Sequence, residues 1–106
     1  MGNRWGIPKD VETQVRERDL ICVYCGTSFT NSAQTHSTRA TWEHIVNDVK
    51  LNNSDNIALC CRSCNSSKGS KLLKHWLECP YCLRKGITKD SVATIVEIHL
   101  SHNNKI

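Results

Sequence analysis

Ile57-Ala58-Leu59-Cys60-Cys61-Arg62-Ser63-Cys64-Asn65-Ser66-Ser67-Lys68 is the stretch on which the fold turns. A short apolar run ends in a Cys-x2-Cys pair, and a polar run that suits a helix follows. The same spacing occurs earlier as Cys22-Val23-Tyr24-Cys25. Each pair forms a tight knuckle that turns two sulfurs toward one point. Together the pairs offer the four thiolates of a closed tetrahedral zinc site. The chain has 106 residues and seven cysteines, with no apolar leader segment, which favours metal over disulfides. The odd count also leaves at least one cysteine unpaired in any disulfide scheme. The interval between the pairs is longer than in a simple zinc ribbon. The inserted segment is therefore where chemistry is to be sought.

Working outward from that stretch, Ile57 to Cys60 reads as a short buried strand. The turn cluster Asn52-Asn53-Ser54-Asp55-Asn56 precedes it, and an earlier strand of β-branched residues runs over Thr41 to Val46. From about Ser63 to Leu77 the pattern becomes helical, with Leu72, Leu73 and Trp76 on one side. Pro8 suits the first turn of a helix over Ile7 to Arg18, with Val11 and Val15 on its apolar face. The charges on its other face read as a solvated surface. Residues 1–7 read as an arm carrying Arg4 and Trp5, and residues 26–40 as a loop rich in Ser and Thr. A further helix is expected over Lys89 to Ser101. The order is zinc knuckle, strand, loop, strand, zinc knuckle, helix.

Composition bounds the function classes. A chain of this length makes one domain with a small core, which needs a staple such as a metal. No apolar run is long enough to cross a bilayer, so no membrane partner is expected. The opening MGNRWGIPKDVE has no secretory h-region, so the expected location is cytoplasmic. The formal charge of +4 is compatible with a polyanion partner and decides nothing alone.

Within the insert lies Trp42-Glu43-His44-Ile45. Alone, Glu43 would be a surface charge and His44 a hydrogen-bonded, partly buried ring. The constellation changes that balance. Glu43-His44-Ile45, Asn56-Ile57-Ala58-Leu59 and Cys61-Arg62-Ser63-Cys64-Asn65-Ser66-Ser67-Lys68, flanked by Cys22-x2-Cys25, resemble the HNH nucleases and their ββα-metal motif. The resemblance covers roughly Asp19 to Lys71. It implies a small α+β domain stabilised by zinc, with the ββα-metal motif flanked by an N-terminal helix and a C-terminal helical segment. On that reading residues 1–106 are one nuclease domain. Residues 19–71 carry the knuckles and the motif, and residues 78–106 form a helical extension.

The resemblance implies roles residue by residue. His44 is the general base, Asn56 orients it, and Glu43 with Asn65 binds a catalytic Mg2+ or Mn2+. Structural Zn2+ sits on Cys22, Cys25, Cys61 and Cys64. The expected activity is hydrolysis of double-stranded DNA to 5′-phosphate and 3′-hydroxyl ends, in a restriction, phage or defence setting. Dimerisation would turn a nicking enzyme into one that cuts both strands, and nothing in the sequence fixes it. Three departures stand out: the family's acid is more often Asp than Glu, Asn65 takes the last position and removes an imidazole from the metal shell, and Ile-Val-Asn47-Asp48 follows His44 where Ile-x-Pro is commoner. Asp48 then either joins the metal or caps a turn, and the turn role is favoured.

The chemistry is consistent with these residue types. Histidine has a pKa near working pH and can take a proton from water. Carboxylate and amide oxygens favour a hard cation. Lys68 lies at i+3 from Asn65 on one helix face, where a phosphate contact is expected. A third pair, Cys79-Pro80-Tyr81-Cys82, raises a second zinc held with His99 and His102. Against it, Val92, Ile95, Val96, His99 and Leu100 share one apolar helix face, where a core histidine is commoner than a ligand. The competing function is a zinc-ribbon module that binds DNA or protein without catalysis. Such a module needs the cysteines but has no use for Glu43, His44, Asn56 and Asn65.

Overall fold

The computed structural model describes residues 6–29, 35–48 and 50–102, without the His102 side chain. Arg4 and Trp5 of the expected arm lie outside the described residues. The elements are α1 (Lys9–Arg18), β1 (Ala40–His44), β2 (Ile57–Cys61), α2 (Arg62–Lys68), α3 (Leu73–Trp76), α4 (Pro80–Lys85) and α5 (Thr94–His102). This is the small α+β arrangement expected, with the ββα unit formed by β1, β2 and α2.

The two strands pair antiparallel from Ala40↔Cys61 to His44↔Ile57. Alternation along a strand sends neighbours to opposite faces. One face of the hairpin carries Ile57 and Leu59, which pack with Ile7, Val11 and Val15, and with partly buried Ala40 and Trp42. The opposite face carries Ala58 and Cys60, which join Val23, Tyr24, Leu73, Trp76, Cys82, Ile87, Val92 and Val96. Every residue of β2 is buried, because both of its faces are covered.

Helix α1 places Asp10 and Glu12 in its first turn and Arg16 and Arg18 in its last, in the sense the helix dipole favours. Its end is clamped to β2. The Arg18 guanidinium holds Asp19 through two bonds of 2.7 and 2.8 Å. It also donates to the Ile57 and Ser54 carbonyls. Asp19 in turn accepts from Leu59 N at 3.0 Å. Val23 N donates to Leu59 O at 3.2 Å, so the outer edge of β2 is occupied by the first knuckle and not left open. Arg16 lies over the Trp42 ring at 4.7 Å, which adds a side-chain tie between α1 and β1.

The helix expected over residues 63–77 is two helices. Helix α2 ends at Gly69, whose φ of 51° and ψ of −128° no ordinary side chain adopts comfortably. The chain reverses there, and α3 starts at Leu73. The reversal brings Trp76 back onto α2, where its Nε1 donates to Ser67 Oγ at 2.9 Å. It also separates neighbours that a single helix face would have grouped: Leu72 is 43% exposed, whereas Leu73 and Trp76 are buried. The C-terminal helix begins at Thr94 and not at Lys89. Before it, Thr88 and Ser91 bond each other's backbone N–H groups and hold a turn.

Candidate metal centre and active site

Four sulfurs meet where the two knuckles face each other. The Sγ atoms of Cys22, Cys25, Cys61 and Cys64 all lie within 4.8 Å of one another, and Cys25 and Cys61 are 3.7 Å apart. A tetrahedron with Zn–S of about 2.3 Å has its sulfurs about 3.8 Å apart, so the donor set fits zinc. Backbone N–H groups point at the sulfurs as a thiolate site requires. Tyr24 N and Cys25 N approach Cys22 Sγ at 3.4 and 3.5 Å, and Cys64 N approaches Cys61 Sγ at 3.4 Å. Crowding divides the four thiols. Hydrogen bonds from Cys22 push Cys25 far down and Cys61 down to about 7. Cys22 and Cys64 are pushed up, chiefly by their bonds to Cys25 and Cys22 respectively.

Glu43 lies on the hairpin face that looks toward this centre and is 6% exposed. The Tyr24 hydroxyl donates to its Oε2 at 2.6 Å, and Lys68 Nζ sits 3.0 Å from the same oxygen. Burial, then the Glu43 charge, raises the Tyr24 pKa well above the ordinary tyrosine value. Oε1 takes no hydrogen bond among the described residues, and no buried side-chain oxygen or nitrogen there lacks a partner. Oε1 is therefore the oxygen that reaches solvent.

His44 closes β1 and turns to the loop between the strands. Its Nε2 meets Asn52 Oδ1 at 2.8 Å. Asn56, expected to orient the ring, does something else. Its Oδ1 accepts from Val46 N at 2.7 Å, and its Nδ2 donates to the Val46 and Leu51 carbonyls at 3.1 Å. The amide is consumed in bracing the loop, and Asn52, within that loop, supplies the carbonyl to histidine. Asp48 serves the same loop, its Oδ1 accepting from Lys50 N at 3.0 Å.

Asn65 projects from α2 onto β1. Its Nδ2 donates to the Trp42 carbonyl and to Thr41 Oγ1, each at 2.9 Å. A carbonyl only accepts, so the amide nitrogen must face it. That leaves Oδ1 outward, with no hydrogen bond among the described residues. The amide is thus anchored on the residue before Glu43 with its oxygen available to a cation.

Residues 22–71 match the family model described as HNH endonuclease. The match begins at the first zinc cysteine and runs past Lys68 to the turn after α2. That segment is similar to an HNH endonuclease domain. No curated protein and no solved structure matches the chain.

Within the matched segment, Lys68 departs from the expected phosphate contact. It is 1% exposed, and its ammonium is held by Glu43 and, at 3.4 Å, by the His44 carbonyl. The i+3 spacing from Asn65 put it on the right helix face, but that face packs on the hairpin and not toward solvent. The structure also reassigns the third cysteine pair. Cys79 is the N-cap of α4, with Pro80 in the first turn, and its Sγ points to the His75 carbonyl at 3.6 Å. Cys82 is fully buried in the core, where desolvation and then Cys79 raise its pKa to about 11. His99 Nε2 bonds the Asp55 carbonyl at 2.6 Å. Cys79, Cys82 and His99 thus go three separate ways, and the His102 side chain lies outside the described residues. Among the described residues, the four-cysteine group of the knuckles is the sole cluster that fits a metal.

Three contributors to these sites are not singled out by the sequence. Asn52 was read only as a turn former. Tyr24 lies inside Cys22-x2-Cys25, where the spacing drew attention to the sulfurs alone. Tyr81 stacks on Trp76 at 5.9 Å, and its hydroxyl donates to Cys64 Sγ at 3.3 Å and bonds Ser63 at 2.8 Å. A tyrosine between two cysteines, in two of the three pairs, was the one signal available for both.

Proposed function

We propose that the chain is a metal-dependent DNA endonuclease, with His44 as general base and with Glu43 and Asn65 as ligands of a Mg2+ or Mn2+ ion. The observation that carries this is the His44 Nε2 bond to Asn52 Oδ1, at the residue that follows Glu43 in the chain, within a segment that matches HNH endonucleases. A carbonyl against Nε2 places the ring hydrogen there and makes Nδ1 the basic nitrogen. Asn56 and Asp48 act one step back, by holding the loop that delivers Asn52. An oxygen-only donor pair, Glu43 Oε1 and Asn65 Oδ1, suits a hard cation and leaves positions for phosphate and water. Bound there, the cation supplies charge stabilisation at the phosphate and the leaving oxygen.

The step balances as a hydrolysis. His44 takes a proton from water as the water oxygen bonds phosphorus. The bond from phosphorus to the 3′ oxygen breaks, that oxygen takes a proton from solvent water, and His44 then releases its own proton to solvent. The products are 5′-phosphate and 3′-hydroxyl ends. We read residues 1–106 as one nuclease domain. Support comes from the C-terminal segment, which bonds the first knuckle through Ala93 N and Val23 O at 2.9 Å and shares its core. Incubation of zinc-loaded protein with supercoiled plasmid and Mg2+ or Mn2+ should give nicked or linear DNA. The new ends should be ligatable and carry 5′-phosphate. Intact plasmid under both metals, or 3′-phosphate ends, would refute this reading.

A further inference from the structure

Tyr24, Glu43 and Lys68 form a buried set in which two donors share one acceptor atom. Tyr24 and Lys68 are each 1% exposed and Glu43 is 6% exposed. Both short contacts, 2.6 Å from the Tyr24 hydroxyl and 3.0 Å from the Lys68 ammonium, fall on Oε2. Their places in the chain matter. Tyr24 sits between Cys22 and Cys25. Lys68 closes the helix that Cys61 caps and in whose first turn Cys64 lies. Each zinc knuckle therefore sends one side chain to the same carboxylate oxygen from a different side.

A carboxylate held this way has lost its rotational freedom about the last torsion. Oε2 is occupied, so Oε1 is the oxygen it can offer, and it can offer it to one ion through one bond. Glutamate has a longer arm than the aspartate commoner in this position, so it has more freedom to remove. We propose that Tyr24 and Lys68 are positioning residues that lock Glu43 with Oε1 outward, and so tie the geometry of the catalytic cation site to the structural zinc centre. This rests on the reading of Glu43 as a cation ligand. The Lys68 charge itself opposes a nearby dication. Two roles for Lys68 thus predict opposite signs: a positioning role weakens cation binding when Lys68 is lost, and a mere counter-charge role strengthens it.

The test is Mn2+ binding to zinc-loaded protein without DNA, followed by the spin resonance of unbound Mn2+, with zinc content and thermal unfolding measured on the same samples. Tyr24→Phe removes one hydroxyl and no charge. It should keep one zinc per chain and weaken Mn2+ binding by roughly 10–100-fold, the size usual for a group that orients a metal ligand. Lys68→Met should weaken binding as well, and Lys68→Arg should recover part of the loss. Should Lys68→Met fail to fold, Tyr24→Phe and Lys68→Arg decide the matter. Wild-type affinity in folded, zinc-loaded Tyr24→Phe, or tighter binding in Lys68→Met, would overturn the proposal. Wild-type protein that binds no Mn2+ would instead refute the cation reading of Glu43, and the proposal with it.

Discussion

Cys61-Arg62-Ser63-Cys64 and Cys79-Pro80-Tyr81-Cys82 share their spacing and, nearly, their backbone. Cys61 caps α2 at φ −69° and ψ 154°, and Cys79 caps α4 at φ −74° and ψ 154°. Each second cysteine falls in the first turn of the helix that follows, and each is fully buried or nearly so. One pair nonetheless joins a four-sulfur centre and the other joins an apolar core. What differs is the partner across the way. The first pair faces Cys22 and Cys25, with sulfurs within 4.8 Å. The second faces no further cysteines, and Cys82 packs in the cluster that holds Trp76, Ile87, Val92 and Val96. A Cys-x2-Cys turn presents sulfurs, but a metal site exists only where two such turns are brought face to face.

The comparison can be broken most severely at the first pair. Cys61→Ser, or chelation of the wild-type protein, should abolish cooperative thermal unfolding. Structural zinc in small domains supplies about 10–16 kcal/mol of apparent binding free energy, more than a typical domain's whole stability. Wild-type protein should carry one zinc by elemental analysis. Unchanged melting after chelation would remove the distinction between the pairs. A smaller effect is expected at the second pair. Cys82→Ser places a hydroxyl in an apolar core, at a cost of about 1–3 kcal/mol, and should lower the melting temperature while zinc stays at one per chain. A fall in zinc content would show that the pair is a ligand pair after all.

Smaller still is the loss expected from Tyr81→Phe. It removes the hydroxyl that links the second pair to the first through Cys64 Sγ. A single hydrogen bond of this kind contributes about 0.5–1.5 kcal/mol. Zinc should stay bound, but it should exchange faster to a competing chelator. An unchanged exchange rate would mean that the two pairs are neighbours without influence on each other.

Where the deciding residues lie close together in the chain, the sequence is readable. Cysteine spacing, Glu43 beside His44 and the apolar run into Cys61 are local patterns with local causes. Both strands, and helix α1 from Pro8, Val11 and Val15, agree with the expected spans with end shifts of a residue or two. Gly69 was legible in principle, since glycine within a helical pattern marks a C-terminus, but the apolar residues beyond it argued for continuation. The rest depended on what faced what. Lys68 was placed on the correct helix face, but its burial depends on the hairpin that covers it. Asn56 and Asn52 sit in one turn cluster with equivalent side-chain chemistry. Only the path of the loop decides that one braces the backbone and the other reaches the His44 ring. Tyr24 and Tyr81 reach Glu43 and Cys64 across 19 and 17 positions of chain, respectively, a relation no spacing rule expresses.

His44 is proposed as the base of a nuclease site. Single-turnover cleavage of labelled duplex DNA by zinc-loaded wild-type and His44→Ala protein, at saturating Mg2+, tests it most directly. The account predicts a loss of roughly 10²–10⁴ in rate, as general-base removal usually gives, with zinc content, melting temperature and DNA binding unchanged. A folded, zinc-loaded His44→Ala protein that cuts within a few-fold of the wild-type rate would contradict it.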